Sequence, residues 1–202
     1  MMATTHALAG AAVATLTVVL APEYAPIAVA AGFLGGLFPD LDLYRGHRRT
    51  LHYPVYYSVA AAAATLHAAI APTAGSVALA LFLVAAALHA VSDVLGGGLE
   101  LRPWRGQSER AVFSHFHGRW LRPRRWVPYD GAPRDLALAG VLALPTYLAI
   151  GGLLRGLVGA TVVVSAAYTL LRKPLAEAAK LIAGLVPPPL RSYVPDRYLR
   201  SL

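Results

Sequence analysis

Six apolar segments, at about residues 5–20, 25–38, 55–71, 77–95, 136–154 and 157–171, leave few choices for this chain. None alternates with a period of two, and all are too long and Ala-rich for single buried strands. Helices are the consistent reading, because a helix satisfies its backbone groups internally and so tolerates lipid. Composition supports lipid as the solvent. The chain is 57% hydrophobic and 14% charged, against about 25% charged in a soluble domain. Several segments fall short of the ~20 residues an upright span needs. The segment 25–38 is short and glycine-rich, open to either a spanning or a re-entrant path. Its Gly32-x-x-x-Gly36 spacing lets a second helix approach closely.

The positive charges distinguish the two sides. If all six segments cross, Arg155 alone falls on one side, and the other 17 of the 18 Lys and Arg fall on the other. These lie in the 39–54 connector, in the 96–135 connector and after residue 171. The positive-inside rule makes that side cytoplasmic. The expected fold is therefore all-α: an integral membrane helical bundle of about six transmembrane helices, with both termini cytoplasmic. The expected organisation is a membrane bundle over 1–171, including the 96–135 connector, followed by a basic juxtamembrane tail over 172–202. Residues 174–186 read as an amphipathic interfacial helix with Glu177 and Lys180 on its polar side, ended by the prolines at 187–189. No Lys or Arg precedes the first segment, which reads as a span and not as a signal peptide.

This topology brings the polar side chains to one depth. His6 starts the first helix on the cytoplasmic side. Asp40 and Asp42 follow the second helix, His47 and His52 precede the third, and His89 and Asp93 end the fourth. The H-x-x-x-D spacing puts His89 and Asp93 on one helix face. With no cysteine in the chain, any metal must be held by His, Asp or Glu. Imidazole and carboxylate suit zinc, and also manganese or iron. Seven candidates suffice for one or two ions with supporting partners or a general base, Asp42 and Asp93 being the catalytic candidates. Arg48 and Arg49 are placed to contact a phosphate. His67 lies toward the far end of the third helix and reads as a packing or interfacial residue.

Four short motifs carry a family resemblance: Thr5–His6, "PDLD" at 39–42, "HRRTLHY" at 47–53, and "HAVSD" at 89–93 followed by "VLGGG". In this order they resemble the YdjM-like family of membrane-bound, metal-dependent hydrolases, in an archaeal-type form that shares the "LELRPW" extension. The motif order is also remotely similar to that of zinc-dependent phospholipase C enzymes. The resemblance implies phosphoester hydrolysis near a membrane by metal-activated water. One departure is that Leu51 and Tyr53 stand where the family pattern has Thr and Ser.

The 96–135 connector interleaves arginines with Trp104, Phe113, Phe116, Trp120 and Trp126. That mixture could stack on nucleic acid, but the flanking helices tether it at the bilayer, so an anionic membrane surface is the expected partner. Glu109 and His115 are second-tier site candidates. The expected function is a hydrolase acting on a phosphoester or lipid-like substrate at the cytoplasmic face of the cell membrane. Two other classes fit the same residues: a non-catalytic metal-binding or transport-related bundle, and a membrane-tethered nucleic-acid binder.

Overall fold

The computed structural model describes residues 1–43 and 46–199. Arg45 and Arg200, both counted above toward the basic side, lie outside the described residues, as does the side chain of Arg197. The fold is mostly helical. The principal helices are α1 (Ala3–Ala14), α2 (Thr17–Leu20), α3 (Ala25–Leu37), α4 (Pro54–Ile70), α5 (Ala74–Ser92), α6 (Pro133–Ala149) and α7 (Gly152–Leu185), with a last short turn α8 (Asp196–Leu199). Four stretches are long and apolar enough to cross a membrane: Ala3–Leu20, Pro22–Asp42, Ala74–Leu95 and Gly152–Leu185. The doubtful second segment is one of them, because short turns at both ends of α3 lengthen it to 21 residues. α4 and α6 have 17 residues each, about 25 Å of helix.

α1 is the central helix. It packs against α3, α5, α6 and α7, and Ala7, Leu8, Ala11 and Ala14 are buried. Its contact with α3 depends on glycine. A Cβ on Gly32 would lie 2.5 Å from the Gly10 carbonyl oxygen, and one on Gly36 would lie 2.2 Å from the His6 carbonyl oxygen. The small-residue spacing read from the sequence is thus the seam between α1 and α3. α4 and α5 form an antiparallel pair, joined by a turn in which Thr73 and Ser76 make a reciprocal capping box.

Two parts of the chain differ from the expectation. The amphipathic segment at 174–186 is not a separate helix, and the expected division at 171/172 falls inside α7. Pro174 does not break the helix, and α7 stops only at Leu185, ahead of the proline run. The 96–135 connector also contains a two-stranded antiparallel hairpin, β1 (Val112–Ser114) and β2 (Arg119–Leu121), with Phe113 opposite Trp120. The hairpin is tied down at both edges. Phe113 N donates to the Arg48 carbonyl at 2.9 Å, and Arg124 N donates to the Val94 carbonyl at 2.7 Å. The connector therefore folds over the loop between α3 and α4 and the end of α5.

Candidate metal centre

The site is assembled from four places. α1 presents His6 in its first turns. A short 3-10 turn, Phe38–Asp42, opened by Pro39, carries Asp40 and Asp42. The following loop reverses through Gly46 and Arg48, both at positive φ, and delivers His47 and His52. The last turn of α5 supplies His89, and Asp93 caps it. His6, His52, His89, Asp42 and Asp93 are buried. The Asp40 and His47 side chains keep 16% and 18% exposure, and they form the accessible edge of the cluster.

Two groups of three ligand atoms converge within 4.8 Å: His6, His89 and Asp93, and Asp40, His52 and His89. The hydrogen bonds decide which nitrogens are available. His89 Nδ1 lies 2.6 Å from the Gly36 carbonyl oxygen, an acceptor only, so Nδ1 carries the proton. His52 Nδ1 lies 3.0 Å from Asp42 Oδ2 and donates to it. In the neutral rings both Nε2 atoms are then lone pairs, and they lie 3.2 Å apart. Two carboxylate oxygens join them. Asp40 Oδ1 is 3.5 Å from His89 Nε2 and 3.8 Å from His52 Nε2. Asp93 Oδ2 is 3.3 Å from His52 Nε2 and 3.6 Å from His89 Nε2.

With both rings neutral, two Nε2 lone pairs and two carboxylate oxygens are thus gathered around the His52–His89 contact. A shared proton satisfies one pair; a cation can satisfy three of them at once, as in the group Asp40, His52 and His89. A tetrahedral ion with bonds of about 2.0–2.1 Å holds its donors about 3.3–3.4 Å apart, and five donor separations here lie between 3.2 and 3.8 Å. Asp93 Oδ2 and Arg48 Nε are also buried without a hydrogen-bond partner among the described residues, although they lie 3.3 Å apart. The donor set fits a divalent ion. Because His89 keeps only Nε2, it can serve one ion, and the two groups that share it cannot each hold one through His89.

The remaining candidates occupy other roles. Asp42 is not among the converging atoms. It accepts from His47 Nδ1 at 3.0 Å, from His52 Nδ1 at 3.0 Å, and from the backbone N–H groups of Arg48 and Leu51 at 3.3 and 3.1 Å. Four donors fill a carboxylate's roughly four lone-pair sites, which leaves none for a metal. Asp42 orients two imidazoles instead. His47 likewise belongs to neither group. Burial lowers its pKa, and the bond to Asp42 only partly opposes this. For His52, burial also favours the neutral ring, but Asp42 and Asp93 outweigh it and raise the pKa. His6 Nε2 is 3.2 Å from Asp93 Oδ1, and its ring stacks on His89 with centroids 3.7 Å apart.

The two arginines offered as phosphate contacts differ in exposure: Arg48 is buried and Arg49 is exposed. Arg48 Nη1 donates to the Gly97 carbonyl at 2.8 Å. Its left-handed backbone (φ 59°) is held by the N–H bond to Asp42. Arg49 lies over the Phe113 ring, 4.6 Å from its centroid. The second-tier pair stands apart from the cluster. Glu109 pairs with Arg125 at 3.1 Å; His115 donates to the Arg49 carbonyl at 2.6 Å and stacks on Tyr53. The Leu51 departure has a simple consequence: its backbone N–H serves Asp42 and its carbonyl accepts from Tyr57 Oη at 3.0 Å, so no side-chain hydroxyl is needed at that point.

Three residues escaped the sequence reading. Asp135, fully buried at the start of α6, accepts from Met2 N and Thr5 Oγ1, both at 2.7 Å, and ties α6 to α1. Asp130 accepts from Arg172 Nε at 2.7 Å and from Tyr168 Oη at 2.5 Å. Burial raises the Asp130 pKa, but Arg172 outweighs this and the carboxyl titrates below its usual range. A carboxylate at the edge of an apolar segment was the available signal for both acids, while Arg172 had read as one of many positive-inside residues. The chain matches no family model, no curated protein and no solved structure with which it was compared.

Proposed function

We propose that this chain is a membrane-embedded, metal-dependent hydrolase of the YdjM-like kind, with six spans, both termini cytoplasmic, and a single divalent ion at the cytoplasmic face. The carrying observation is the convergence of the His52 and His89 Nε2 atoms with carboxylate oxygens of Asp40 and Asp93. These four residues would hold the ion, and His6 and the Met1 α-ammonium would steady Asp93 through Oδ1. Zinc suits the donor set best, with manganese and iron as alternatives.

A divalent ion in this position supplies Lewis acidity and lowers the pKa of a bound water. The chain's own contribution to the chemistry falls to His47. Its Nδ1–H is held by Asp42, which leaves Nε2 as a base at the accessible edge. His47 takes one proton from water while the water oxygen attacks phosphorus. The P–O ester bond then breaks, and the leaving alkoxide takes the proton back from the imidazolium. Asp42, placed as a catalytic acid or base by its sequence motif, acts through His47 as a positioning residue.

The test is elemental analysis of the detergent-purified protein together with a phosphodiester activity screen on the same sample, before and after chelation. About one ion per chain and chelator-sensitive hydrolysis support the reading. Stoichiometric metal with no hydrolysis of any phosphoester leaves the non-catalytic metal-binding class, and absence of metal removes both.

A further inference from the structure

Beside the cluster lies a cavity of about 400 Å³, within the range of ligand pockets. At one part of its wall are Asp40 and His47, the two least buried members of the cluster. Elsewhere the wall is a stripe along α7, Val164, Tyr168, Leu175 and Ala179, whose spacing puts them on one helix face. Val164 and Leu175 line the cavity, yet are 55% and 49% exposed, so the cavity opens sideways along α7. At 34 residues, α7 is about 50 Å long, well beyond the ~30 Å of a hydrocarbon core. In the proposed topology, with the residue-152 end of α7 on the far side of the bilayer, its stripe runs through the cytoplasmic interface.

The charges in the wall limit what can bind. Arg172 is paired with Asp130 at 2.7 Å, and Arg48 donates to Gly97 and faces Asp93. The Met1 α-ammonium faces Asp93 at 3.4 Å, and Glu100 adds a negative charge to the wall. These three cations are already engaged by carboxylates or carbonyls, so an anionic group entering the cavity gains attraction chiefly from the ion beside Asp40. The remainder of the occupant must be apolar to suit the α7 stripe.

We infer that this cavity is the substrate chamber, and that its occupant is an amphiphile drawn from the bilayer: a phosphate ester whose head lies at the Asp40–His47 edge and whose hydrocarbon chain lies along α7. The inference rests on the proposed metal site for the head and on the cavity wall for the chain.

The test compares equilibrium binding of dodecyl phosphate and methyl phosphate to the metal-loaded full chain, in a detergent without phosphate. Ala179→Phe fills the wall with a ring. It should weaken dodecyl phosphate binding by about tenfold, the loss of about two buried methylenes, with methyl phosphate binding and metal content as in the wild type. Val164→Trp, at the half-exposed rim, should act in the same direction without burying new bulk in the core. Removing the metal should abolish binding of both probes. Equal affinity changes for the two probes, or none for dodecyl phosphate in either variant, would overturn the inference in favour of a water-soluble phosphoester. If neither probe's diester is hydrolysed but the chain-dependent loss is seen, the hydrolase reading fails and the chamber stands as a lipid-phosphate site. If a soluble diester is hydrolysed with no chain dependence, the hydrolase reading stands and the chamber fails.

Discussion

The Nε2 atoms of His52 and His89 face each other at 3.2 Å, while each Nδ1 donates elsewhere, to Asp42 and to the Gly36 carbonyl. In neutral rings this sets lone pair against lone pair, an arrangement that burial makes costly. The oxygens of Asp40 and Asp93 sharpen the conflict, and a cation resolves it.

Removing one of these donors should empty the site without unfolding the bundle. His89→Ala or Asp93→Ala is expected to lower metal affinity by more than the roughly 10–100-fold typical of an outer partner, with membrane insertion intact. Elemental analysis of both purified variants decides it; full occupancy in both would refute the metal assignment.

Asp42→Asn should behave differently. The shape is kept, but the amide NH2 meets one of the two ring N–H groups, which loses its acceptor while the other keeps the amide oxygen. One imidazole is pushed toward the tautomer that protonates Nε2. Metal affinity should fall by about 10–100-fold and be recovered at high metal concentration. A titration showing wild-type affinity counts against Asp42 as the orienting group.

The α1–α3 seam makes Gly36 sensitive twice over. In Gly36→Ala the new Cβ lies 2.2 Å from the His6 carbonyl oxygen, and backbone cannot yield there. Overpacking of this kind costs about 1–3 kcal/mol. It also shifts the carbonyl that holds His89, so thermal stability and metal occupancy should drop together. Gly140→Ala, whose Cβ meets nothing within 4 Å, sits inside α6 and should be neutral or stabilising by up to about 1 kcal/mol. Equal melting temperatures for the two variants would contradict the seam.

The Asp130–Arg172 pair gives a pH-dependent contribution to stability. Asp130 is held below its ordinary value of 3.8 in the fold, so its contribution is complete above that value and is lost as the pH falls through the folded-state pKa. Asp130→Asn leaves Arg172 buried with a weaker partner. It should cost about 1–3 kcal/mol at neutral pH, less than a fully buried pair because Asp130 keeps 26% exposure. The gap between wild type and variant should narrow below about pH 4. Thermal unfolding in detergent at several pH values measures both; a gap independent of pH removes the ion pair as its source.

Much of the cluster was legible because its residue types are rare in this chain. His6, Asp40, Asp42, His47, His52, His89 and Asp93 all lie in one neighbourhood, linked by short contacts. Their division into ion-facing and orienting groups was not legible. Asp40 and Asp42 differ by two positions in one short turn, and only the direction of each carboxylate separates them. Gly36 holds His89 through a carbonyl oxygen, a group every residue possesses. Arg48 read from the sequence as a phosphate contact, yet the hairpin folding over the loop encloses it.

The amino-acid sequence by itself determined that the chain is helical and apolar, where small residues permit close helix contact, and which side chains could form a polar site, since these follow from local periodicity and residue chemistry. Only the tertiary structure decided that Asp42 serves imidazoles, that Arg48 is enclosed, that α7 runs unbroken through Pro174, and that a cavity joins the cluster to an apolar stripe. Those outcomes depend on which lone pairs and surfaces meet across distant segments, and sequence spacing does not specify them.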